Sequence, residues 1–273
     1  MNWMKKNRST IILVFIFFVG LSLLLYPSLS DYWNSFHQSK AIANYAESVA
    51  EIDTSEYQEM WQIANEYNQN LTAKGQRFAL TENEMKEYNG ILNVGGTGVI
   101  GYIEIPNIDV SLPIYHGVED TILQIAIGHL PGTSFPIGGE STHCAISGHR
   151  GLPSAKLFTN LDQLKEGDLF MMRVLDESYT YEVDQIRIVE PADLSALKIE
   201  EGKDLCTLIT CTPYGVNSHR LLVRGHRVEN TLNNSIMVVA DASQIDSTLV
   251  APMYAVPILI LLFISVLVKY RKR

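Results

Sequence analysis

The chain has 273 residues, 47% of them apolar, and 21 basic against 30 acidic side chains, for a net charge of −9; that is enough for one good-sized core plus appendages. Seven of the basic residues (Lys5, Lys6, Arg8, Lys269, Arg271, Lys272, Arg273) lie at the two ends, and no acidic residue lies outside 31–248, so the middle carries 14 basic and 30 acidic side chains, about −16. Such acidity argues against nucleic acid as a partner; it reads either as plain solubility or as attraction for a lysine-bearing protein.

In chain order, Ile11 to Tyr26 is an apolar run of 16 residues, extended to bilayer length by counting on to Leu29. We read it as a retained transmembrane anchor; the alternative is a signal peptide cleaved near Ser28-Leu29-Ser30. Two helices are expected next. Asp31 to Ile52 carries a loose stripe through Tyr32, Phe36, Tyr45 and Val49. Tyr57, Met60, Trp61, Ala64, Tyr67 and Leu71 recur at steps of three and four, with Ser55 and Gln58 as a capping box. Aromatic stripes of this kind are packing faces more often than binding surfaces.

From Gly98 the pattern changes to period two. It predicts strands at Val99 to Ile105, Val110 to Tyr115, Thr142 to Ser147, Asp168 to Leu175, Ser178 to Val189, Asp204 to Cys211 and Arg220 to Val228, with short helical inserts at Glu119 to Ile127 and Ala155 to Leu164. Many closely spaced strands with little helix predict a mainly β fold, a closed barrel of about eight strands. Leu249 to Val268 supplies 20 residues without a charge, followed at once by Lys269-Tyr270-Arg271-Lys272-Arg273. Basic flanks at both ends put both termini in the cytoplasm and the acidic middle outside.

The chemistry concentrates at strand ends. Leu205 to Thr210 is apolar and β-branched, ends on Cys211, and is broken by Thr212-Pro213-Tyr214-Gly215 before the next strand opens at Arg220. A thiol on the last rung of one strand and a guanidinium on the first rung of the next should share one rim. Upstream, Thr142 to Ser147 runs into Gly148-His149-Arg150-Gly151, a tight bend that leaves an imidazole at another strand terminus. Only a thiolate is a strong nucleophile, and an ordinary cysteine holds only a few per cent of it at neutral pH, so nearby positive charge matters. A histidine can protonate a leaving amine, and an arginine can stabilise an oxyanion.

The bland readings differ by residue. Cys211 read as a buried structural thiol fits poorly with its place beside a polar loop. His149 competes with His37, His116, His129, His143, His219 and His226. Of these, His219 should point away from its neighbour Arg220, while His116 and His129 can simply satisfy loop backbone groups. Arg224 shares a face with Arg220 and reads as a salt-bridge residue. Cys206 lies at an odd offset from Cys211, so the two thiols should face opposite ways, and Cys144 reads as a small core residue. No metal-ligand spacing and no cofactor motif occur.

Thr207-Leu208-Ile209-Thr210-Cys211 with Arg220 nine residues on, together with Gly101-Tyr102-Ile103-Glu104-Ile105-Pro106, His129-Leu130-Pro131-Gly132-Thr133-Ser134, Ile146-Ser147-Gly148-His149-Arg150-Gly151-Leu152-Pro153 and Thr210-Cys211-Thr212-Pro213-Tyr214-Gly215, resembles the sortases of Gram-positive bacteria. The likeness is to their class C, the membrane-tethered cysteine transpeptidases that polymerise pilins. It covers about residues 98–230. The resemblance implies the sortase barrel and makes Cys211 the nucleophile, His149 the acid/base and Arg220 the substrate and oxyanion ligand, with Thr210 and Ser147 binding substrate. It implies no cofactor and no metal. It also divides the chain into a cytoplasmic N-terminus (1–10), an anchor (11–29), a helical arm (30–71), a lid-like segment (72–97), the catalytic barrel (98–230), a linker (231–248), a second membrane helix (249–268) and a basic cytoplasmic tail (269–273).

In class C the lid is usually anchored by an Asp-Pro-aromatic motif. Residues 71–82 contain no Asp-Pro pair, so a looser or open lid is expected, with Phe78 as its candidate cover for Cys211. The implied reaction is cleavage of a Leu-Pro-x-Thr-Gly-like signal between Thr and Gly, followed by transfer to a lysine amine of another pilin subunit. The alternatives are attachment of surface proteins to a cell-wall precursor, a plain extracellular cysteine protease, or an anchored scaffold without enzymatic activity.

Overall fold

In the computed structural model, which describes residues 8–230 and 255–264, eight strands close into a barrel. They are β1 (Val99–Ile105), β2 (Val110–His116), β3 (Ile127–His129), β4 (Thr142–Ser147), β5 (Leu169–Val174), β6 (Glu177–Val189), β7 (Asp204–Thr212) and β8 (His219–Val228). Around the barrel the order is β1-β2-β3-β4-β7-β8-β6-β5, with β5 pairing back onto β1. The pairs β2/β3 and β4/β7 are parallel and the others antiparallel.

Side-chain alternation divides each strand between a sealed interior and an outer face. Ile103, Ile114, Ile146, Met172, Val183, Leu208 and Val223 fill the interior together with Cys144 and Cys206. Cys144 and Cys206 are register partners, buried as core thiols, while Cys211 is half-buried; all three are free.

The seven strands expected from period two are present, and β3 is the addition. Its three residues begin where a helical insert was expected; the helix there, Asp120–Leu123, is a single turn. The expected helix over Ala155 to Leu164 is instead a chain of turns with a 3₁₀ segment at Leu161–Gln163. The cause is local: the amide of Phe158 donates to the His149 carbonyl, so this backbone is committed to the neighbouring turn.

The N-terminal part is helical. One 44-residue helix, α1 (Arg8–Glu51), runs through Pro27, where a membrane helix and a separate arm helix were expected; a proline removes one intrahelical bond without necessarily ending the helix. Helix α2 (Thr54–Ala73) follows. Its N-cap is Asp53, not the expected Ser55: the Asp53 carboxylate accepts from the amides of Ser55 and Glu56. Helix α3 (Glu82–Tyr88) opens on a capping box between Thr81 and Glu84.

The chain separates into two units. One comprises residues 1–33 and 239–273, of which part of α1 and the apolar helix Ala255–Ile264 are described. Within it Phe17 stacks on Phe263 at 4.1 Å. The expected linker (231–248), about half of the second membrane segment and the basic tail lie outside the described residues.

The other unit, residues 34–238, holds the barrel and the helices packed on it. The Tyr45 hydroxyl accepts from the Leu175 amide at 2.7 Å and donates to the Ile100 carbonyl at 3.1 Å. Asn68 exchanges two hydrogen bonds with the Phe135 backbone. Tyr57, Met60, Trp61 and Tyr67 pack against the core. The second aromatic stripe is therefore a packing face, whereas in the first Tyr45 and Val49 pack and Tyr32 and Phe36 are exposed.

Candidate active site

The site is built at one rim of the barrel by β4, β7 and β8. On β7, Cys206 and Leu208 point inward, which turns Thr207, Ile209 and Cys211 to the outer face. On β8, Leu221 and Val223 point inward, which turns Arg220, Leu222 and Arg224 outward by the same rule. Cys211 and Arg220 are direct register partners across this antiparallel pair, so thiol and guanidinium share a rung and a face. Nη1 of Arg220 donates to the carbonyls of His219 and Asn217, at 3.1 and 3.3 Å. A guanidinium has five N–H donors, so others remain for an incoming anion.

The third group arrives on the parallel neighbour. Ser147, the last residue of β4, pairs with Ile209, and the Gly148 amide donates to the Ile209 carbonyl at 3.0 Å. The Thr210 hydroxyl donates to the Gly148 carbonyl at 2.8 Å. Both amide and carbonyl of the residue before His149 are thus tied to the two residues before Cys211.

Gly148 is required by close approach: a Cβ there would meet Ile127 and Phe158 at 2.7 Å. Beyond His149, the turn is held by the Arg150–Asp162 ion pair and by the Gly151 amide, which donates to Thr159 Oγ1 at 3.1 Å. Arg150 lies over the Tyr214 ring at 5.7 Å. Tyr214, from the β7–β8 turn, therefore touches the turn that carries His149, and the two turns bracket the rim.

Below Cys211 and Arg220 the outer face carries a buried apolar cluster of Ala145, Ile209, Leu222 and Leu197, flanked by Leu130, Val189 and Ala196. Phe78, from the 72–97 segment, packs on this cluster.

The expectation of a looser or open lid needs correcting, because other residues hold this segment. Arg77 Nη2 donates to the Leu197 carbonyl at 2.5 Å, and its guanidinium lies 4.7 Å over the Phe78 ring. Lys74 pairs with Glu84. Gly132, at φ +85°, receives the Arg77 carbonyl so closely that a Cβ would lie 2.1 Å from it.

Thr210, expected to bind substrate, is 1% exposed behind Cys211, and its hydroxyl is given to the Gly148 carbonyl of the His149 turn. Ser147 is half-buried on the outer face at the end of β4. His219 is exposed and pairs with Ser218 Oγ. His116 and His129 are buried against backbone carbonyls, of Ile91 and Ser134 respectively. Burial pulls the His129 pKa down to about 3.

Arg224 is a structural ion-pair residue. It forks onto Asp184 at 2.9 and 3.0 Å and reaches Glu200 at 3.0 Å, and the Asp184 bond raises its pKa. Sequence reasoning gave no role to Arg77, Gly132 and Tyr214, which lie on three separate segments. Gly132 and Tyr214 stood in the quoted His129 to Ser134 and Thr210 to Gly215 blocks, and Arg77 carried no signal. Among the described residues, no group of three His, Cys, Asp or Glu side chains stands ready to hold a metal ion.

The family model of the sortase domain matches residues 103–228. Sortase C1 from Streptococcus agalactiae is similar over its whole fold: 52% identity, TM-score 0.68, covering 70% of this chain and 99% of that one. The X-ray structure of Clostridium perfringens sortase C with the C-terminal cell wall sorting motif is 41% identical, with TM-score 0.63, covering 70% of this chain and 100% of that one. Among curated relatives, sortase D of Bacillus subtilis (strain 168) is 30% identical over 131 residues, 47% of this chain and 63% of that protein. The chain thus covers somewhat less than two thirds of that relative's length.

Proposed function

This chain belongs to the sortase family, and from that premise we propose that it is a membrane-anchored cysteine transpeptidase that polymerises pilins, with Cys211 as nucleophile, His149 as acid/base and Arg220 as oxyanion ligand. The observation that carries the reading is the shared outward rung of Cys211 and Arg220, with the His149 turn bonded to the residues just before the cysteine.

In the reaction, the Cys211 thiolate attacks the threonine carbonyl of a Leu-Pro-x-Thr-Gly-like signal. Negative charge gathers on the carbonyl oxygen, where the Arg220 N–H groups donate to it. The C–N bond to glycine breaks, His149 gives its proton to the departing amine, and a thioester remains. A lysine amine of another pilin subunit then attacks the thioester, passes its proton to His149 and releases Cys211. One amide is exchanged for another, without net redox change.

The apolar cluster of Ala145, Ile209, Leu222 and Leu197 lies on the same face as Cys211 and, once Phe78 leaves it, would suit the apolar start of such a signal. Class C sortases among the structural neighbours favour pilin polymerisation. Helix α1 is long and apolar enough to cross a bilayer. With a second crossing through 249–268, both termini would be cytoplasmic and the barrel extracellular, confined beside tethered substrates at raised effective concentration.

The test is mass spectrometry of the acyl-enzyme trapped on a slowed variant, then resolved with either a lysine-bearing pilin fragment or a peptidoglycan-type amine. A Cys211-linked acyl group ending in threonine, resolved by the pilin lysine, is expected. An acyl group on another residue would overturn the site. Resolution by the wall amine alone would move the reading to surface-protein attachment.

A further inference from the structure

His143 is a titratable side chain on the outer face that the reaction above does not use. It is fully buried. Nδ1 lies 2.7 Å from the Lys198 carbonyl and Nε2 lies 2.8 Å from Thr207 Oγ1. A carbonyl can only accept, so Nδ1 carries the hydrogen and Nε2 accepts from the Thr207 hydroxyl. Burial, which pulls the pKa down to about 4, is consistent with this neutral ring.

Lys198 belongs to the β6–β7 connection, residues 190–203, whose stretch from Glu190 through Ser195 is largely exposed. Its next residue back, Leu197, is buried in the apolar cluster under Phe78. Two consecutive carbonyls of this loop are therefore gripped from different sides: Leu197 by Arg77 of the lid segment, and Lys198 by His143 of the barrel. The grip from Arg77 is lost whenever residues 77–78 leave this cluster. The grip from His143 stays, joined by the Arg224–Glu200 ion pair three positions from Leu197.

We propose that His143 is a positioning residue: it holds the Lys198 carbonyl, and through it Leu197, so that the apolar cluster keeps its shape when the lid segment gives way to substrate. The role rests on the sortase reading for its consequence, and on geometry alone for the loop contact.

The two ring nitrogens can be separated by substitution. In His143→Asn the amide nitrogen occupies the Nδ1 position and keeps the Lys198 bond. His143→Gln reaches the Nε2 position, keeps a partner for Thr207 and loses Lys198. In the full chain in detergent micelles, hydrogen exchange of residues 190–203 is followed in a Cys211→Ala background, and KM and kcat for a Leu-Pro-x-Thr-Gly-type peptide are measured with Cys211 present.

Loss of one such bond should cost about tenfold in KM with kcat nearly unchanged in His143→Gln, together with faster exchange of the loop; His143→Asn should restore both. Equal behaviour of the two variants, unchanged loop exchange in His143→Gln, or a loss confined to kcat would overturn the proposal. If the native chain cleaves no such peptide, the function above fails, and the exchange measurement still decides the contact.

Discussion

The bond from the Thr210 hydroxyl to the Gly148 carbonyl is the shortest link between the strand of Cys211 and the turn of His149. Replacing Thr210 with Val keeps the β-branch and nearly the same volume, so it opens no cavity. It leaves a buried carbonyl with one partner fewer. Such an unmet acceptor costs about 1–3 kcal/mol, and for a domain of this size that lowers Tm by roughly 2–4 °C per kcal/mol. The catalytic effect should be larger than the stability effect suggests, because displacement of a reacting group by about 1 Å can cost on the order of 100-fold.

Thr210→Ser is the control, since it keeps the hydroxyl and loses one buried methyl, at about 0.5–1.5 kcal/mol. Thermal unfolding and kcat/KM for a sorting-signal peptide are measured for both variants in the full chain. The expected result is Thr210→Val below Thr210→Ser in kcat/KM by about 10- to 100-fold, with similar losses of stability. Equal activity in the two variants would mean that the hydroxyl does not hold the turn.

Three further outcomes follow from the same geometry. Gly132→Ala forces a Cβ against the Arg77 carbonyl at positive φ; it should move the lid balance toward open by about 1–3 kcal/mol, or 5- to 150-fold, read as faster labelling of Cys211 by a thiol reagent, and an unchanged rate would remove Gly132 as a keyhole for the lid. Arg220→Lys keeps the charge but loses the planar fork, so its activity should recover only partly relative to Arg220→Ala, whose loss of about 100-fold or more is that of an oxyanion donor; equal rates in both variants and the native chain would exclude Arg220 from the reaction.

Acidification is the third. His129 and His143 are pulled by burial to about 3 and about 4, against 6.5 when exposed. Between pH 6.5 and 4 the unfolded chain binds their protons and the folded chain does not, so stability falls as pH falls. The loss at pH 5 relative to pH 7 should be on the order of 2 kcal/mol for each. Denaturant midpoints at the two pH values measure it, and His143→Asn should flatten the slope; an unchanged slope would mean that His143 is not held neutral.

Seven of the eight strands were legible because an antiparallel or half-buried strand writes its pleat into the sequence as period two. β3 was not, since three residues between a one-turn helix and a Pro-Gly turn carry no period. The division of the thiols was legible for the same reason: five positions of offset put Cys206 in the core and Cys211 outside, whatever the rest of the fold. The rung shared by Cys211 and Arg220 follows from two strands joined by a short turn, which is a local matter of register.

The parallel pairing of β4 with β7 has no such local signature. It joins residues more than sixty positions apart, and it alone brings His149 to the rim and sets Thr210 against Gly148. The docking of the 72–97 segment through Arg77 and Phe78 is the other decision of the tertiary structure. The missing Asp-Pro pair suggested a free segment, yet Arg77 reaches a backbone carbonyl on a distant loop and Gly132 makes room for its own carbonyl. Side-chain period and turn chemistry are properties of neighbours along the chain, so the sequence carries them openly. Which distant carbonyl a guanidinium or an imidazole will find depends on packing of the whole barrel, and only the folded chain decides it.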